Sequence, residues 1–238
     1  MGRIFEKRKD RMFARWAKTA KAFTKLGKEI AISVKLGGGD PANNPRLRMA
    51  MQTARSLNMP KDRIEAAVKR ASSKDAADLA EITYEGFAPH GVAIFVEAAT
   101  DNATRTVANV RNIITKHGGN LATTGALDYV FDRKGVFKIA TPQGDLDEFE
   151  LNLIDHGLEE IFEAEDGLLL YSSFRQFGDL QKALDAQGAE VKSATPQRIP
   201  TSYVAVTPDQ EAEIQKMIDK LEEDDDVQSV FHNMQTAD

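Results

Sequence analysis

The spacing of apolar residues changes near residue 80, and this change divides the chain into two kinds of structure. Before it, apolar residues recur at intervals of three and four, which predicts a core-facing stripe on one helix or on two successive helices. The stripe consists of Phe13, Trp16, Ala20, Phe23, Gly27, Ile30 and Val34. After a polar junction at residues 72–75, Ile82, Tyr84 and Phe87 alternate as in a strand. A helical domain over residues 1–79 is therefore expected to precede a part that contains sheets.

Two further helices complete the predicted helical domain. Gly37, Gly38 and Gly39 end the first helix together with Pro41, because glycine permits a positive φ and proline cannot continue a helix. Asn44 is placed to cap a second helix that has proline in its first position, and a third helix begins after a further proline at residue 60. We therefore predict a three-helix bundle.

Strands and helices alternate in the rest of the chain. The pattern of residues 133–200 predicts strand, helix, strand, strand, helix and strand, which is the ferredoxin-like βαββαβ unit. Residues 80–132, with a strand over Leu127, Tyr129 and Phe131, combine with residues 201–238 into a second α/β domain. The predicted fold class is α+β: an N-terminal three-helix bundle followed by two ferredoxin-like α/β domains, one inserted in the other.

Charge is segregated in the same way as the apolar spacing. Residues 1–70 carry 18 Lys and Arg against 6 Asp and Glu, a net +12; the remaining residues carry 13 against 31, a net −18, and the whole chain is −6. Because each cation laid on a phosphate releases a condensed counterion, a basic helical segment on an acidic body is typical of a polyanion-binding module. The predicted nucleic-acid-binding residues are Arg11, Arg15, Lys18, Lys21, Lys25, Lys28, Lys35, Arg46, Arg48, Arg55, Lys61, Arg63, Lys69 and Arg70.

The charged residues leave alternatives open. The basic helix face could be an ordinary solvated surface, although acidic residues four positions away, which usually interleave such surfaces, are nearly absent. The acidic run at residues 222–226 most simply faces solvent; alternatively, it mimics phosphate and docks on the basic helices.

No motif in the sequence supports catalysis or a cofactor. There is no cysteine, which excludes disulfides and thiolate chemistry, and the four histidines show no metal-ligand spacing. Neither a nucleophile-elbow nor a dinucleotide-binding glycine string is present. We expect a protein without enzymatic activity, catalytic residues, metal or cofactor. The lack of a secretory signal and of a long apolar stretch predicts a cytoplasmic protein with no membrane partner, and we expect a monomer.

Several strings of the sequence resemble the YebC/PmpR family. In chain order they are KAFTKLGKEI, KLGGGDPANNPRLRMAM, NMPKDRIEAAVKRA, YEGFAPHGVAIFVEAATDNATRTVANVR, HGGNLATTGALDYVF and DDDVQSVFHN. The resemblance implies a helical N-terminal domain and two α/β domains. Bacterial members are described as transcriptional regulators, and a mitochondrial relative as a translational activator of cytochrome c oxidase. The N-terminus differs from the family's frequent Gly-His-Ser-Lys-Trp segment, since this chain begins MGRIFEKRKDRMFARWAK.

Two functions are compatible with these features. The resemblance and the basic helices favour a DNA-binding transcriptional regulator whose basic face contacts the phosphates of duplex DNA. Alternatively, the same face binds ribosomal RNA and the protein assists translation elongation, because recognition of backbone shape needs no base-reading side chains. The strands predicted at residues 136–140 and 168–172 lack the aromatic signature of RNA-recognition motifs, so base stacking on that sheet is not expected.

Overall fold

The computed structural model describes residues 3–73, 78–164 and 166–236, and the side chains from Thr19 onward within these ranges. Helices come first, and a mixture of strands and helices follows, as the change in apolar spacing predicts. The helices are α1 (Arg3–Gly37), α2 (Pro45–Ser56), α3 (Lys61–Ala71), α4 (Ala103–Lys116), α5 (Leu146–Ile154), α6 (Phe177–Ala186) and α7 (Pro208–Glu222). The strands are β1 (Ala80–Phe87), β2 (Ala93–Thr100), β3 (Asn120–Leu121), β4 (Phe131–Ile139), β5 (Leu158–Ala164), β6 (Gly167–Ser173), β7 (Val191–Pro200), β8 (Val204–Val206), β9 (Val227–His232) and β10 (Met234–Thr236).

The chain forms two compact units, each with an apolar core of its own. The first unit consists of residues 1–84, 96–116 and 215–230, and the second of residues 85–95, 117–214 and 231–238. Chain segments that are far apart in sequence therefore meet within one unit.

The apolar stripe of α1 lies on a single helix of 35 residues. Over the second half of this helix, Ile30 and Val34 are buried against α2 and α3, and Phe23 packs against them. Ala20 is exposed, so the prediction that it belongs to the core is wrong; among the described side chains of α1, Phe23 is the first that packs on this core. The side chains of Phe13 and Trp16 lie outside the described residues.

Asn44 fixes the connection between α1 and α2. Its side-chain oxygen accepts a hydrogen bond from the backbone N–H of Leu47 at 3.0 Å, which confirms the predicted N-cap. Its amide nitrogen donates to the carbonyls of Ser33 at 2.7 Å and Gly38 at 2.8 Å. One buried side chain thus joins the end of α1 to the start of α2, and the loop between them is held rather than free.

The segment from β4 to β7 has the predicted ferredoxin-like topology. Its sheet has the order β5-β6-β4-β7, and every neighbouring pair is antiparallel. Phe137 of β4 and Leu170 of β6 are fully buried, and the Phe137 ring stacks on Phe177 of α6 with centroids 4.7 Å apart. The fold class predicted from the sequence is confirmed.

The other α/β part contains a four-stranded sheet of order β3-β1-β2-β9. β8 lies outside this sheet and pairs in parallel with β10. The sequence did not predict β10, which is only three residues long.

The strand predicted over Leu127, Tyr129 and Phe131 is wrong for its first part. Residues 124–130 form turns, and β4 begins at Phe131. The carboxylate of Glu85, a residue only 3% exposed, accepts hydrogen bonds from the backbone N–H groups of Gly125 at 2.7 Å and Leu127 at 2.6 Å. Leu127 is buried while Tyr129 is 75% exposed, so their apparent alternation reflects a turn folded over a buried acid.

Replacing Glu85 with alanine is expected to lower the free energy of unfolding by about 2 kcal/mol, since two backbone donors lose their acceptor. Chemical denaturation measures this loss. Glu163→Ala, at an exposed position of β5, serves as the control and should leave stability unchanged within about 0.5 kcal/mol. Equal stability of the two variants would contradict the role given to Glu85.

Candidate nucleic-acid interface

Lys28 of α1 holds an acidic residue from the far end of the first unit. Its Nζ lies 2.6 Å from Oδ1 of Asp226 and also donates to the carbonyls of Ala99 at 3.0 Å and Asp225 at 2.8 Å. The side chains of Lys28 and Asp226 are only 18% and 7% exposed. An ammonium has three donor hydrogens, and here three protein oxygens receive them. Lys28 is thus engaged inside the first unit.

Asp226 is the centre of a larger network. Its Oδ2 accepts hydrogen bonds from Arg105 Nη2 at 2.7 Å and from Thr106 Oγ1 at 2.8 Å, in addition to the Lys28 contact. Burial by itself would raise the pKa of Asp226, but the hydrogen bonds from Lys28, Arg105 and Thr106 and the charge of Lys28 outweigh it, and the pKa lies well below its ordinary value. The carboxylate therefore stays charged, and it joins α1, α4 and the strand β9 that follows it.

The other lysines in the middle of α1 also face acidic residues. We name residues 222–226, at the end of α7, the acidic turn. Lys21 Nζ donates to the carbonyl of Glu223 at 3.1 Å. Burial lowers the pKa of Lys25; the carboxylate of Glu222 opposes this shift, and the charge of Lys21 adds to it. Each interpretation of the acidic run holds for part of it: the Asp226 carboxylate docks on the basic helix, whereas Glu222, Glu223 and Asp225 are exposed.

Two more predicted site residues form ion pairs within the first unit. Arg46 Nε lies 2.7 Å from Glu29 Oε1, and its Nη2 lies 2.6 Å from Glu81 Oε1. Burial would lower the pKa of Arg46, but its hydrogen bonds to Glu81 and Glu29 raise it further above its ordinary value. Lys35 pairs with Asp78, an exposed residue just before β1. Arg46 and Lys35 thus link the helical bundle to β1 and to the residues just before it.

Five other basic residues of α2 and α3 lie on the surface. We name Arg55, Lys61, Arg63, Lys69 and Arg70 the outer basic surface; all five are exposed. Arg63 lies over the Phe23 ring with its guanidinium carbon 6.0 Å from the centroid, and Lys61 has a loose pair with Glu65 at 3.6 Å. Among the residues that the structure describes, Arg55, Lys69 and Arg70 have no ion pair.

The fourteen predicted residues therefore fall into different settings. Lys21, Lys25 and Lys28 meet the acidic turn, whereas Lys35 and Arg46 have carboxylate partners of their own. Five residues form the outer basic surface, and Arg48, half-buried on α2, has an interaction within the protein. The side chains of Arg11, Arg15 and Lys18 lie outside the described residues.

The sequence does not reveal the carboxylates that pair with Lys28 of α1 and Arg46 of α2. Helical spacing relates residues four positions apart, whereas Asp226 and Glu81 are 198 and 35 residues from these cations. The run of acids at 222–226 was the one available signal, and its alternative interpretation pointed to this contact.

A histidine of the second unit also has polar partners. In the second unit, His90 Nε2 lies 2.9 Å from Glu213 Oε2, and its other ring nitrogen lies 3.3 Å from the amide of Gln210. Within the described ranges, no three His, Asp or Glu side chains are grouped so that they could hold a metal ion. The helices in those same ranges are each too short or too polar to cross a membrane.

The protein thus belongs to a class that combines a basic helical bundle with two α/β parts, one of which is ferredoxin-like. Sequence profiles of one family match both parts: the TACO1/YebC N-terminal domain matches residues 3–74, and the TACO1/YebC second and third domain matches residues 79–234. The chain belongs to the TACO1/YebC family, and the resemblance noted in the sequence is confirmed.

Relatives cover essentially the whole chain. A probable transcriptional regulatory protein of Parabacteroides distasonis is 54% identical over 100% of this chain and 98% of its own length. One from Porphyromonas gingivalis is 52% identical over 98% of this chain and 97% of its own length. The crystal structure of a conserved hypothetical protein from Aquifex aeolicus is similar, with a TM-score of 0.79, 35% identity, and coverage of 92% of this chain and 91% of that one.

Proposed function

We propose that this protein is a non-enzymatic, DNA-binding transcriptional regulator that contacts the phosphates of duplex DNA through the outer basic surface. The proposal rests on a difference between two groups of basic residues. Those on the middle of α1 are matched by acids of the same unit, while Arg55, Lys69 and Arg70 are exposed and have no ion pair among the described residues. The names of the curated relatives, probable transcriptional regulatory proteins, support the same function.

Phosphate contact accounts for binding without catalysis. Cations on a duplex release condensed counterions, and this gain is independent of base sequence. A helical domain can also place one helix in the major groove. The outer basic surface consists of Lys and Arg on two short helices. We therefore expect DNA binding that is largely non-specific, with a modest preference for particular base sequences.

A triple variant tests this surface. Arg55→Gln, Lys69→Gln and Arg70→Gln together remove three charges and are expected to weaken binding to a DNA duplex at least about 10-fold at roughly 50 mM salt. A matched control changes three exposed cations of the body, Arg111, Lys116 and Lys216, to glutamine and should leave the affinity unchanged. Fluorescence anisotropy with a labelled duplex measures both. If both triple variants weakened DNA binding equally, the outer basic surface on α2 and α3 would not be the DNA-binding site.

The same surface also suits ribosomal RNA, which is the alternative function. Sedimentation of a cell lysate separates the two. The proposal predicts that the protein migrates away from ribosomes at physiological salt and binds duplex DNA at least as well as duplex RNA. If the protein co-migrated with ribosomes after DNase treatment but not after RNase treatment, the outer basic surface would bind ribosomal RNA, and the function would lie in translation rather than transcription.

A further inference from the structure

Strand β5 forms one edge of the ferredoxin-like sheet in the second unit. It pairs with β6, and no other strand of the described ranges lies on its outer side. An edge strand directs alternate backbone N–H and C=O groups away from its sheet, where a further strand can bind them. The edge at β5 is therefore a position where an extended segment can be added to the sheet.

The middle of β5 has the order acid, apolar, apolar, acid. We name these residues, Glu160, Ile161, Phe162 and Glu163, the β5 edge motif. Ile161 pairs with Leu170, a fully buried residue, so it lies on the core face of the sheet, and the two-residue period of a strand places Phe162 on the opposite face. The same period places Glu160 beside Phe162 and Glu163 beside Ile161. Each face of this edge thus carries one acid and one apolar side chain.

The side chains of the motif are accessible. Both of its acids are exposed, and neither has a salt bridge to a described residue. The ammonium of Lys134, on β4, binds the neighbouring Glu159 instead. Phe162 is 49% exposed, although its ring meets that of Tyr171 edge-on with centroids 5.5 Å apart. The edge therefore presents an aromatic ring and two carboxylates to solvent.

The charge of this region restricts what can bind to it. Residues 141–174 contain ten Asp and Glu and neither Lys nor Arg, so nucleic acid is repelled. Acids on an edge strand also oppose pairing with the same strand of a second copy, because like charges directly opposite each other destabilise a strand pair. Protection against self-pairing accounts for the two acids of the motif, but not for the apolar pair between them.

The order of the motif defines the strand that complements it. Side chains of an added strand lie directly opposite those of β5, and pairs of opposite charge and pairs of apolar residues are the stabilising ones. The complementary order is cation, apolar, apolar, cation. This order is the same when it is read in either chain direction, so parallel and antiparallel addition both satisfy it.

We propose that β5 binds an extended basic segment of a partner protein by strand addition. The segment has Lys or Arg opposite Glu160 and Glu163, and apolar residues opposite Ile161 and Phe162. Its backbone supplies the hydrogen bonds that the edge of the sheet lacks, and its side chains supply the specificity. The site does not involve the outer basic surface, so the inference is independent of the proposed function.

The test uses the full chain and a labelled peptide of about eight residues with Lys-Val-Val-Lys at its centre. Fluorescence anisotropy at roughly 50 mM salt should show saturable binding. A peptide of the same composition with Val-Lys-Lys-Val at its centre should bind at least about 5-fold more weakly, because its cations then lie opposite the apolar pair. Methylation of the central backbone N–H groups of the first peptide should abolish binding, because the peptide can no longer join the sheet.

A double variant locates the binding on the protein. Glu160→Gln with Glu163→Gln removes both carboxylates and should weaken binding of the first peptide at least about 3-fold. The matched control replaces two exposed acids elsewhere in the second unit, Glu190→Gln with Asp209→Asn, and should change the affinity less than about 1.5-fold. Since all four side chains are exposed, the melting temperature should not change in either variant.

Several outcomes would overturn the inference. These are no saturable binding of the first peptide, equal affinity for the two peptide orders, and full binding by the methylated peptide. Equal weakening in the two double variants would attribute the binding to the net charge of the unit rather than to β5. Self-association of the wild type that the peptide abolishes would make a second copy the occupant. Duplex DNA binding should be the same in the wild type and the β5 variant, so failure of the proposed function would leave this inference intact.

Discussion

Replacing Asp226 with alanine is expected to lower the free energy of unfolding by about 3 kcal/mol. The substitution leaves the ammonium of Lys28, a side chain 18% exposed, without its carboxylate partner, and it removes one of the acceptors of Arg105 and of Thr106. An unpaired charge in a largely buried position costs more than the pair itself contributes. Denaturation in urea, monitored by circular dichroism, measures the loss.

The neighbouring residue supplies the control for this experiment. Asp225 is exposed and contacts Lys28 through its backbone carbonyl, which alanine retains. Asp225→Ala should therefore change stability by less than about 0.5 kcal/mol. If Asp225→Ala and Asp226→Ala proved equally stable, the acidic turn would not hold α1 in the way described.

The depressed pKa of Asp226 gives the same contact a pH dependence. A carboxyl whose pKa is lower in the folded than in the unfolded protein contributes stability that is fully present above its ordinary pKa, near about 4, and is lost as the pH falls further toward the folded value. The difference in stability between the wild type and Asp226→Ala should therefore be constant near neutral pH and shrink below about pH 4. A difference that grew on acidification would contradict the assignment.

Replacing Phe137 with alanine should also have a large effect, a loss of about 3–5 kcal/mol. Its side chain is fully buried at the core of the ferredoxin-like sheet and stacks on Phe177, so its removal leaves a cavity and ends a ring contact. Phe162, on β5 of the same sheet, is 49% exposed and is the matched control; Phe162→Ala should cost less than about 1.5 kcal/mol. Thermal unfolding of both variants measures the difference, and similar losses would show that the ring of Phe137 is not the core element assigned here.

The parts of the fold that the sequence predicts well are those with local signals. Asn44 as N-cap and Pro45 in the first position predict the start of α2. The order of strands and helices over residues 133–200 is sufficient to identify the ferredoxin-like topology. The turn at residues 124–130 was missed because Leu127 and Phe131 have the spacing of a strand, while the acid that closes the turn, Glu85, lies about 40 residues earlier. β10 was missed because three residues carry no measurable period.

The candidate site is predictable only in part for a similar reason. Net charge places the basic residues in one domain, but which of them remain available depends on carboxylates brought together by the fold. Lys28 and Arg70 are both predicted binding residues on helices, yet Lys28 pairs with Asp226 and Arg70 is exposed.

Salt dependence of duplex binding tests the central claim most directly. The logarithm of the binding constant falls linearly with the logarithm of salt concentration, by about 0.9 for each phosphate contact, so the slope counts the cations involved. The variant at Arg55, Lys69 and Arg70 should have a slope shallower than that of the wild type by about 2.7, while the control at Arg111, Lys116 and Lys216 retains the wild-type slope. Identical slopes for the wild type and the α2–α3 variant would show that the outer basic surface does not contact phosphate.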